Sequence, residues 1–288
     1  MKVREASDKE ISVFFGDVDA TKVYLALIVE GEAAGIAVTH DLFDSEMLHM
    51  KIARVLDVRC SSSQRYELLY KELAAKLQNL GFTQVIRRLE VERLAEIWAM
   101  ERAGFELMDV GVTFGRKIHG TVAAREFVDL NVRRSTDDEI SRIAPAIVND
   151  PWASRYDSDP AYKPEDVREL RIRWLWNSHR HRADIVLIGE MESSPAGYVT
   201  CLIDSKSRHG EVELVGTLPQ FRGQHVASRI LEHAIAWFST RTQWVSVRTQ
   251  AANYAAANLY EKSGFTLKRS DMSFRLNLSP NRNEEVNL

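Results

Sequence analysis

Cysteine is scarce, with two in 288 residues, Cys60 and Cys201. Two thiols so far apart build neither a disulfide framework nor a structural zinc site, and a reducing cytoplasm is the default expectation. Both read as small buried hydrophobes. Histidines offer no metal site either: His179 and His181 stand two apart with no cysteine or third ligand nearby. No metal is therefore expected. Charge of either sign is not in excess, with 38 basic and 41 acidic residues and a net charge of -3. That balance gives no drive toward nucleic acid or an anionic membrane, although a local patch for a small anion is invisible in a sum. No apolar run approaches the ~18 to 20 residues of a membrane span. The opening residues Met1 to Asp8 carry no apolar stretch of the kind a secretory signal needs. What is present is ordinary: 45% apolar and 27% charged residues, enough for a packed core. The length suits one large domain or two smaller ones.

Periodicity divides the chain into strands and helices. Val23 to Ile28, Ala34 to Val38 and Ile52 to Val58 are apolar or β-branched runs, the first two separated by Glu30-Gly31-Glu32. From Tyr66 to Leu80 the period changes, with Leu68, Leu69, Leu73, Leu77 and Leu80 marking an amphipathic helix that Gly81 stops. Phe127 to Val132 alternates like a strand. Thr136 to Glu139 forms a capping box before a helix over Ile140 to Ile147. A longer helix is expected from Pro164 to His179, with Pro164 suited to its first turn. Strands over 185–188, 197–203 and 211–215 follow, then a glycine-bearing loop and a helix from Val226 to Phe238. A strand over Trp244 to Arg248 and a helix over Tyr254 to Lys262 come next. The last strand puts Met272, Phe274, Leu276 and Leu278 on one face. The polar tail from Asn281 to Leu288 reads as frayed.

An internal repeat sets the domain count. Met100 to Leu107 and Tyr260 to Leu267 share a Gly-Phe pair at an offset of 160. The same offset, without a gap, lays the helix of 66–80 on 226–240 and the strand of 84–90 on 244–250. The chain thus reads as two copies of one α/β unit, 1–120 and 121–288.

The loop from Pro219 to Ala227 lies between a strand and an amphipathic helix. The first backbone N–H groups of a helix lack intrahelical partners, and its dipole is positive at that end, so an anion is favoured there. Gly223 and the small Ala227 permit close approach, and Arg222 adds a fixed charge. Alone, an Arg-Gly between strand and helix also describes a plain turn. The segment from Leu214 to Leu231, however, resembles the acetyl-CoA motif of the GNAT N-acyltransferases. Asn253 to Phe265, which reads Asn-x-x-x-x-Asn-Leu-Tyr and ends in Gly264-Phe265, is similar to that family's second hallmark. The two stand in the family's order. One departure is His225, where the family usually has glycine.

The resemblance implies a fold, a co-substrate and roles. The fold is α/β, a tandem GNAT (acyl-CoA N-acyltransferase) fold with a mixed, mostly antiparallel sheet flanked by helices and a degenerate N-terminal copy. The catalytic copy would bind acetyl-CoA through Leu214, Val215, Gly216, Arg222, Gly223, Gln224, His225, Val226 and Ala227, with Asn253 and Asn258 bonding the co-substrate or capping a helix. Backbone amides near Val215 would polarise the thioester carbonyl. Tyr260 stands where the family places the acid that protonates the leaving thiolate, a task within reach of a phenol. Glu211 and Glu213 alternate onto one face of the strand, and Glu213 is the candidate base, directly or through water. In the first copy the offset turns 222–227 into Ser62-Ser63-Gln64-Arg65-Tyr66-Glu67 and Tyr260 into Met100, which removes the loop glycine and the acid.

Phe14-Phe15-Gly16, the residues from Ser154 to Tyr156, and those from Arg171 to Ser178 resemble the dTDP-4-amino-4,6-dideoxygalactose N-acetyltransferases. That likeness implies an amine acceptor on a nucleotide-linked sugar, with Arg155, Tyr156, Tyr162, Arg171 and Trp174 as acceptor contacts. A helical tryptophan is equally a core residue, and the arginines are equally solvated. Other small amines, protein amines and a non-catalytic CoA sensor are the alternatives. The expected partner is a small-molecule amine, without nucleic acid or membrane, for a monomer or homodimer.

Overall fold

A computed structural model describes residues 2–16, 18–60, 62–147 and 154–278. The tail expected to fray, Asn281 to Leu288, lies outside them. Strand β1 (Val3–Glu5) leads into helix α1 (Asp8–Phe14). Then come β2 (Leu25–Val29), β3 (Gly35–His40), α2 (Leu42–Met47), β4 (Ile52–Arg59), α3 (Ser63–Asn79), β5 (Gln84–Glu90), α4 (Leu94–Arg102) and β6 (Glu106–Lys117). The short elements β1, α1 and α2 carry no periodic signal. Helix α1 is set instead by a capping box, in which the backbone N–H of Ser7 donates to Glu10 at 2.9 Å. Helix α2 starts where Asp41 accepts from the N–H of Asp44 at 3.2 Å.

The second half contributes β7 (Asn131–Arg134), α5 (Asp137–Ile147), α6 (Arg155–Ser158) and α7 (Pro164–Asn177). A π-helical turn over Ser178–Arg182 follows, then β8 (Ile185–Met191), β9 (Ser194–Asp204) and β10 (His209–Thr217). After a 3-10 turn at Pro219–Phe221 come α8 (Val226–Ser239), β11 (Trp244–Gln250), α9 (Tyr254–Lys262) and β12 (Thr266–Asn277). Several expected boundaries move by a few residues, as where the helix expected over 66–80 spans Ser63–Asn79 and the strand expected over 197–203 spans Ser194–Asp204, and two moves have a local cause. The strand drawn over Phe127 to Val132 starts at Asn131, because Phe127 and Leu130 close a tight turn. The helix drawn to His179 stops at Asn177, where the chain widens into the π-turn.

The repeat is carried into the coordinates. An offset of 160 takes β5 onto β11, α4 onto α9 and β6 onto β12, end to end. Even the helix stop is copied: Phe105 N–H bonds Met100 O at 2.9 Å, and Phe265 N–H bonds Tyr260 O at 3.0 Å. Packing partitions the chain differently from the repeat. One compact unit is 1–109 with 271–288, and the other is 110–270. In the first unit β1 to β5 pair in order, and β5 takes residues Asp271–Asn277 of β12 as its antiparallel neighbour. In the second, β7, β8, β9, β10 and β11 pair in order, and β11 takes residues 111–117 of β6. Each unit's sheet is thus finished by a strand from the other sequence copy. Of these pairings, β4–β5 and β10–β11 are parallel and the rest antiparallel.

Each unit buries its own core. In the first, Leu69, Tyr70, Leu73 and Leu77 of α3 pack with Leu27, Ile36, Val38 and Val85. In the second, Val226, Ile230, Leu231, Ala234, Ile235 and Phe238 form the buried stripe of α8. Each large side chain in that stripe contributes roughly 1.5–3 kcal/mol, which fixes the start of α8 against the sheet.

Candidate active site

The site begins with a strand that leaves its neighbour. β10 pairs with β11 from His209↔Trp244 to Val212↔Val247, and no later β11 pairing occurs among the described residues. It stays bonded to β9, through Val215↔Val199, Gly216↔Tyr198 and Thr217↔Gly197. Between the two stretches the register slips. There the N–H of Leu214 donates to the Thr200 hydroxyl at 2.9 Å, which absorbs the irregularity without stranding a buried donor. Gly216 is needed for packing: a Cβ there would lie 2.4 Å from Cε1 of the Tyr198 ring. Leu214, Val215 and Gly216 therefore stand where β10 keeps its pairing with β9 and has none with β11 among the described residues.

The loop comes next. Phe221 is buried and anchors it, and Arg222 is extended at φ -64°, ψ 151°. Gly223 has φ +79°, and a Cβ built on it would meet nothing within 4 Å. The backbone conformation, not crowding, asks for glycine. His225 is left-handed at φ 61°, ψ 21°, as the residue just before α8. This is the conformation that explains a glycine preference at that place, and histidine occupies it at a cost of about 1–2 kcal/mol. Gln224 reaches back to Gln220 O at 3.4 Å. The N–H groups of Val226, Ala227 and Ser228 open α8 without intrahelical acceptors, since the first i→i−4 bond runs from Arg229 N–H to His225 O at 3.2 Å. The Arg229 guanidinium is spent on Asp129 at 2.9 and 3.0 Å. Arg222 is the cation of the loop proper. The geometry suits a diphosphate.

Downstream, Asn253 caps α9, accepting from Ala256 N–H at 3.1 Å. Asn258 is exposed on the same helix. Tyr260 is 5% exposed, its ring 5.9 Å from that of Phe114 and 6.1 Å from that of Phe265. Burial pushes its phenol well above the ordinary value, so it stays protonated and able to donate.

Two carboxylates on β10 share a face but not an environment. Arg182 meets one oxygen of Glu213 at 2.6 Å, and Ser178 donates to the other at 2.9 Å. Both come from the π-turn, which sequence reasoning folded into a longer helix. Its only trace is a run of four basic residues, His179 to Arg182, without helical apolar spacing. The turn is tied down in its own right. His179 Nδ1 lies 2.9 Å from the Ser135 hydroxyl, and its Nε2 lies 2.8 Å from Asp137, which also accepts from Arg180 at 3.0 Å. Glu211 is reached by solvent at its surface. The protein crowded around it, and then the charge of Glu213, nevertheless raise its pKa against the opposing pull of His209, Arg182 and Arg269.

The acceptor candidates fall mostly into one cluster. Ser154 and Asp157 form a capping box at α6, and Asp157 also binds the buried Arg171. The Arg155 guanidinium lies 4.2 Å above the Tyr156 ring and donates to its hydroxyl at 2.6 Å, with Tyr162 6.1 Å from Tyr156. Arg155 and Arg171 are 9% and 7% exposed, so they hold this cluster together more than they face solvent. Trp174 packs against the core of its unit, its Nε1 buried without a hydrogen-bond partner among the described residues. No group of three or more His, Cys, Asp or Glu suited to a metal occurs among the described residues, and no helix there is long and apolar enough to cross a membrane.

Residues 145–265 match the family described as Acetyltransferase (GNAT) family. Similar in sequence is a spore coat polysaccharide biosynthesis protein, SpsD, of Bacillus subtilis, 29% identical over 118 residues. The match covers 41% of this chain and 40% of that protein, so it spans about two fifths of the relative's length. An uncharacterized N-acetyltransferase of Archaeoglobus fulgidus is 25% identical over 46% of this chain and 89% of its own. Among solved structures, a GCN5-related N-acetyltransferase from Sphaerobacter thermophilus gives a TM-score of 0.62 at 16% identity, covering 96% of this chain and 87% of its own. A tandem GNAT protein from the clavulanic acid biosynthesis pathway gives 0.61 at 9% identity over 97% and 99%. Those two likenesses speak for the fold. The splayed strand and the loop both lie within residues 145–265, the segment that matches the GNAT acetyltransferase family, and the chain has a mixed α/β, tandem GNAT fold.

Proposed function

We propose that the protein moves an acetyl group from acetyl-CoA to a primary amine of a small molecule, and that the acceptor is an amino sugar carried on a nucleotide diphosphate. The observation that carries the transfer reading is the unpaired edge of β10 followed by the loop that opens onto the N-terminus of α8. Acetyl-CoA would supply the activated acyl carbon. The N–H groups of Val226, Ala227 and Ser228, with Arg222, hold its diphosphate. The backbone of Leu214 to Gly216 aligns the arm, and amides near Val215 stabilise the oxyanion.

The amine must lose a proton before it attacks. Both oxygens of Glu213 are engaged by Arg182 and Ser178, which leaves it poorly placed to take one. Glu211, with its raised pKa, is the better acceptor, directly or through water, and Glu213 supplies the charge that keeps it basic. The departing sulfur takes its proton from Tyr260 Oη. The guanidinium groups of Arg182 and Arg269 act electrostatically on Glu211, and their charge favours an anionic acceptor. The similarity to a spore coat polysaccharide biosynthesis protein supports a sugar substrate. Mass spectrometry of a panel of dTDP-amino sugars, simple amines and peptides incubated with enzyme and acetyl-CoA tests this. A mass gain of one acetyl group on a sugar nucleotide is expected. Acetylation of peptides alone would overturn the acceptor.

A further inference from the structure

The first unit contains the same splayed strand, but it is filled. β4 pairs with β5 from Ile52↔Gln84 to Arg54↔Ile86, and no later β5 pairing occurs among the described residues. β4 then runs on to Arg59, paired with β3 and with its own register slip between Val55 and Asp57. Matching the two parallel pairings sets Ile52 on His209, because Gln84 and Trp244 are equivalents. Leu56 then falls on Glu213 and Val58 on Val215. The carbonyls of these two first-unit residues are both taken by guanidinium groups. Arg87 donates to Leu56 O at 3.2 Å and Arg93 to Val58 O at 2.7 Å.

Both arginines are held by one carboxylate. Glu96 on α4 is 1% exposed. Its Oε1 lies 3.0 Å from Nε of Arg87 and 2.6 Å from the Tyr70 hydroxyl, and its Oε2 lies 2.6 Å from Nη2 of Arg93. Burial, and next the charge of Glu96, push the Tyr70 phenol far up, so it serves as a donor. Burial works to lower the Arg87 guanidinium, and Tyr70 and Glu96 override it. At an offset of 160 the four positions read Ile230, Val247, Asn253 and Ala256 in the second unit. None of those side chains carries a charge, and the only hydrogen-bonding group among them, that of Asn253, caps α9.

We infer that Arg87, Arg93 and Glu96 occupy in the first unit the place that the co-substrate's arm takes in the second, so that each chain binds one acyl-CoA and the first unit is closed by its own side chains. This rests on the transfer reading of the second unit. The buried Arg87–Glu96 pair is stable only while complete, since removing one member strands the other, and with Arg93 it answers the carbonyls of Leu56 and Val58. The network therefore does the work of a bound ligand, permanently.

Calorimetric titration of the full chain with acetyl-CoA should give one site, and an Ala227→Asp variant, which sets an anion at the start of α8, should give none. A site surviving in A227D would overturn the inference. Wild-type protein that binds nothing would instead sink the transfer reading while leaving the first unit closed. The companion variant is Glu96→Ala. It should lower the melting temperature by about 10 °C or more and speed amide exchange in β4 and β5, with the dissociation constant for acetyl-CoA within two-fold of wild type. Unchanged exchange and melting would show that the arginines do not fill the cleft.

Discussion

At the residue scale, the proposed transfer is tested first at Tyr260 and Glu211. Tyr260→Phe keeps the ring packing on Phe114 and Phe265 and removes only the donor. Turnover should fall by about 10²–10⁴-fold, the usual weight of a general acid, with acetyl-CoA binding retained in a titration. Glu211 gives a signed pH effect. Its pKa is raised, so it is protonated and idle at low pH, and kcat/KM should climb with pH through a midpoint above that of an ordinary glutamate. The folded state binds the proton more tightly than the unfolded chain, so Glu211 lowers stability as pH rises through that window. Glu211→Gln should then abolish the acid limb and most turnover while melting no lower than wild type at pH 7. A loss of stability in that variant would argue against a strained carboxylate. Glu213 was the more visible candidate in the sequence; its engagement depends on Ser178 and Arg182, thirty-odd residues away, and nothing in local spacing announces them. His225 was legible only as a departure from glycine. Its φ of 61° explains why the departure has a cost, and His225→Gly should raise stability by up to about 1 kcal/mol, the αL strain less the added chain entropy, as read by thermal melting.

At the element scale, periodicity found what is long and amphipathic. Helices α3 and α8, both with leucine or isoleucine stripes, and α9, bounded by Asn253 and Gly264, stand where the spacing set them. The short helices α1 and α2 escaped because six or seven residues hold too few turns to show a period, and caps alone define them. The π-turn escaped for another reason: one extra residue per turn looks in sequence like a helix continuing. It nonetheless carries the two groups that hold Glu213 and is itself gripped by Ser135 and Asp137. Arg182→Ala should release Glu213. It also takes away one of the charges that oppose the raised pKa of Glu211. The midpoint of the kcat/KM profile should move, while the affinity for acetyl-CoA, whose proposed grip is the start of α8, stays. A profile superimposable on wild type would remove the turn from the chemistry.

At the scale of the whole molecule, the repeat was legible and the exchange of strands was not. The offset of 160 matches β6 to β12 residue for residue, yet no property of either strand says which sheet it joins. Both are long and alternating, and register is fixed only by the partner. The consequence is specific. Residues Asp271–Asn277 complete the first unit although they belong to the second sequence copy, and Arg275 and Phe274 bring it the Glu106 ion pair and a buried ring. The first copy cannot finish folding until the last strand has been made, so it folds as a non-local unit with a large loop to close. A chain ended after Ser270 keeps every residue of the second unit and strips β5 of its antiparallel neighbour. Limited proteolysis of that truncated protein should cut first within 1–109, and amide exchange in β4 and β5 should accelerate strongly. Acetyl-CoA should still protect the 110–270 segment. Equal protection of both units after truncation would mean that the final strand adds nothing to the sheet it closes.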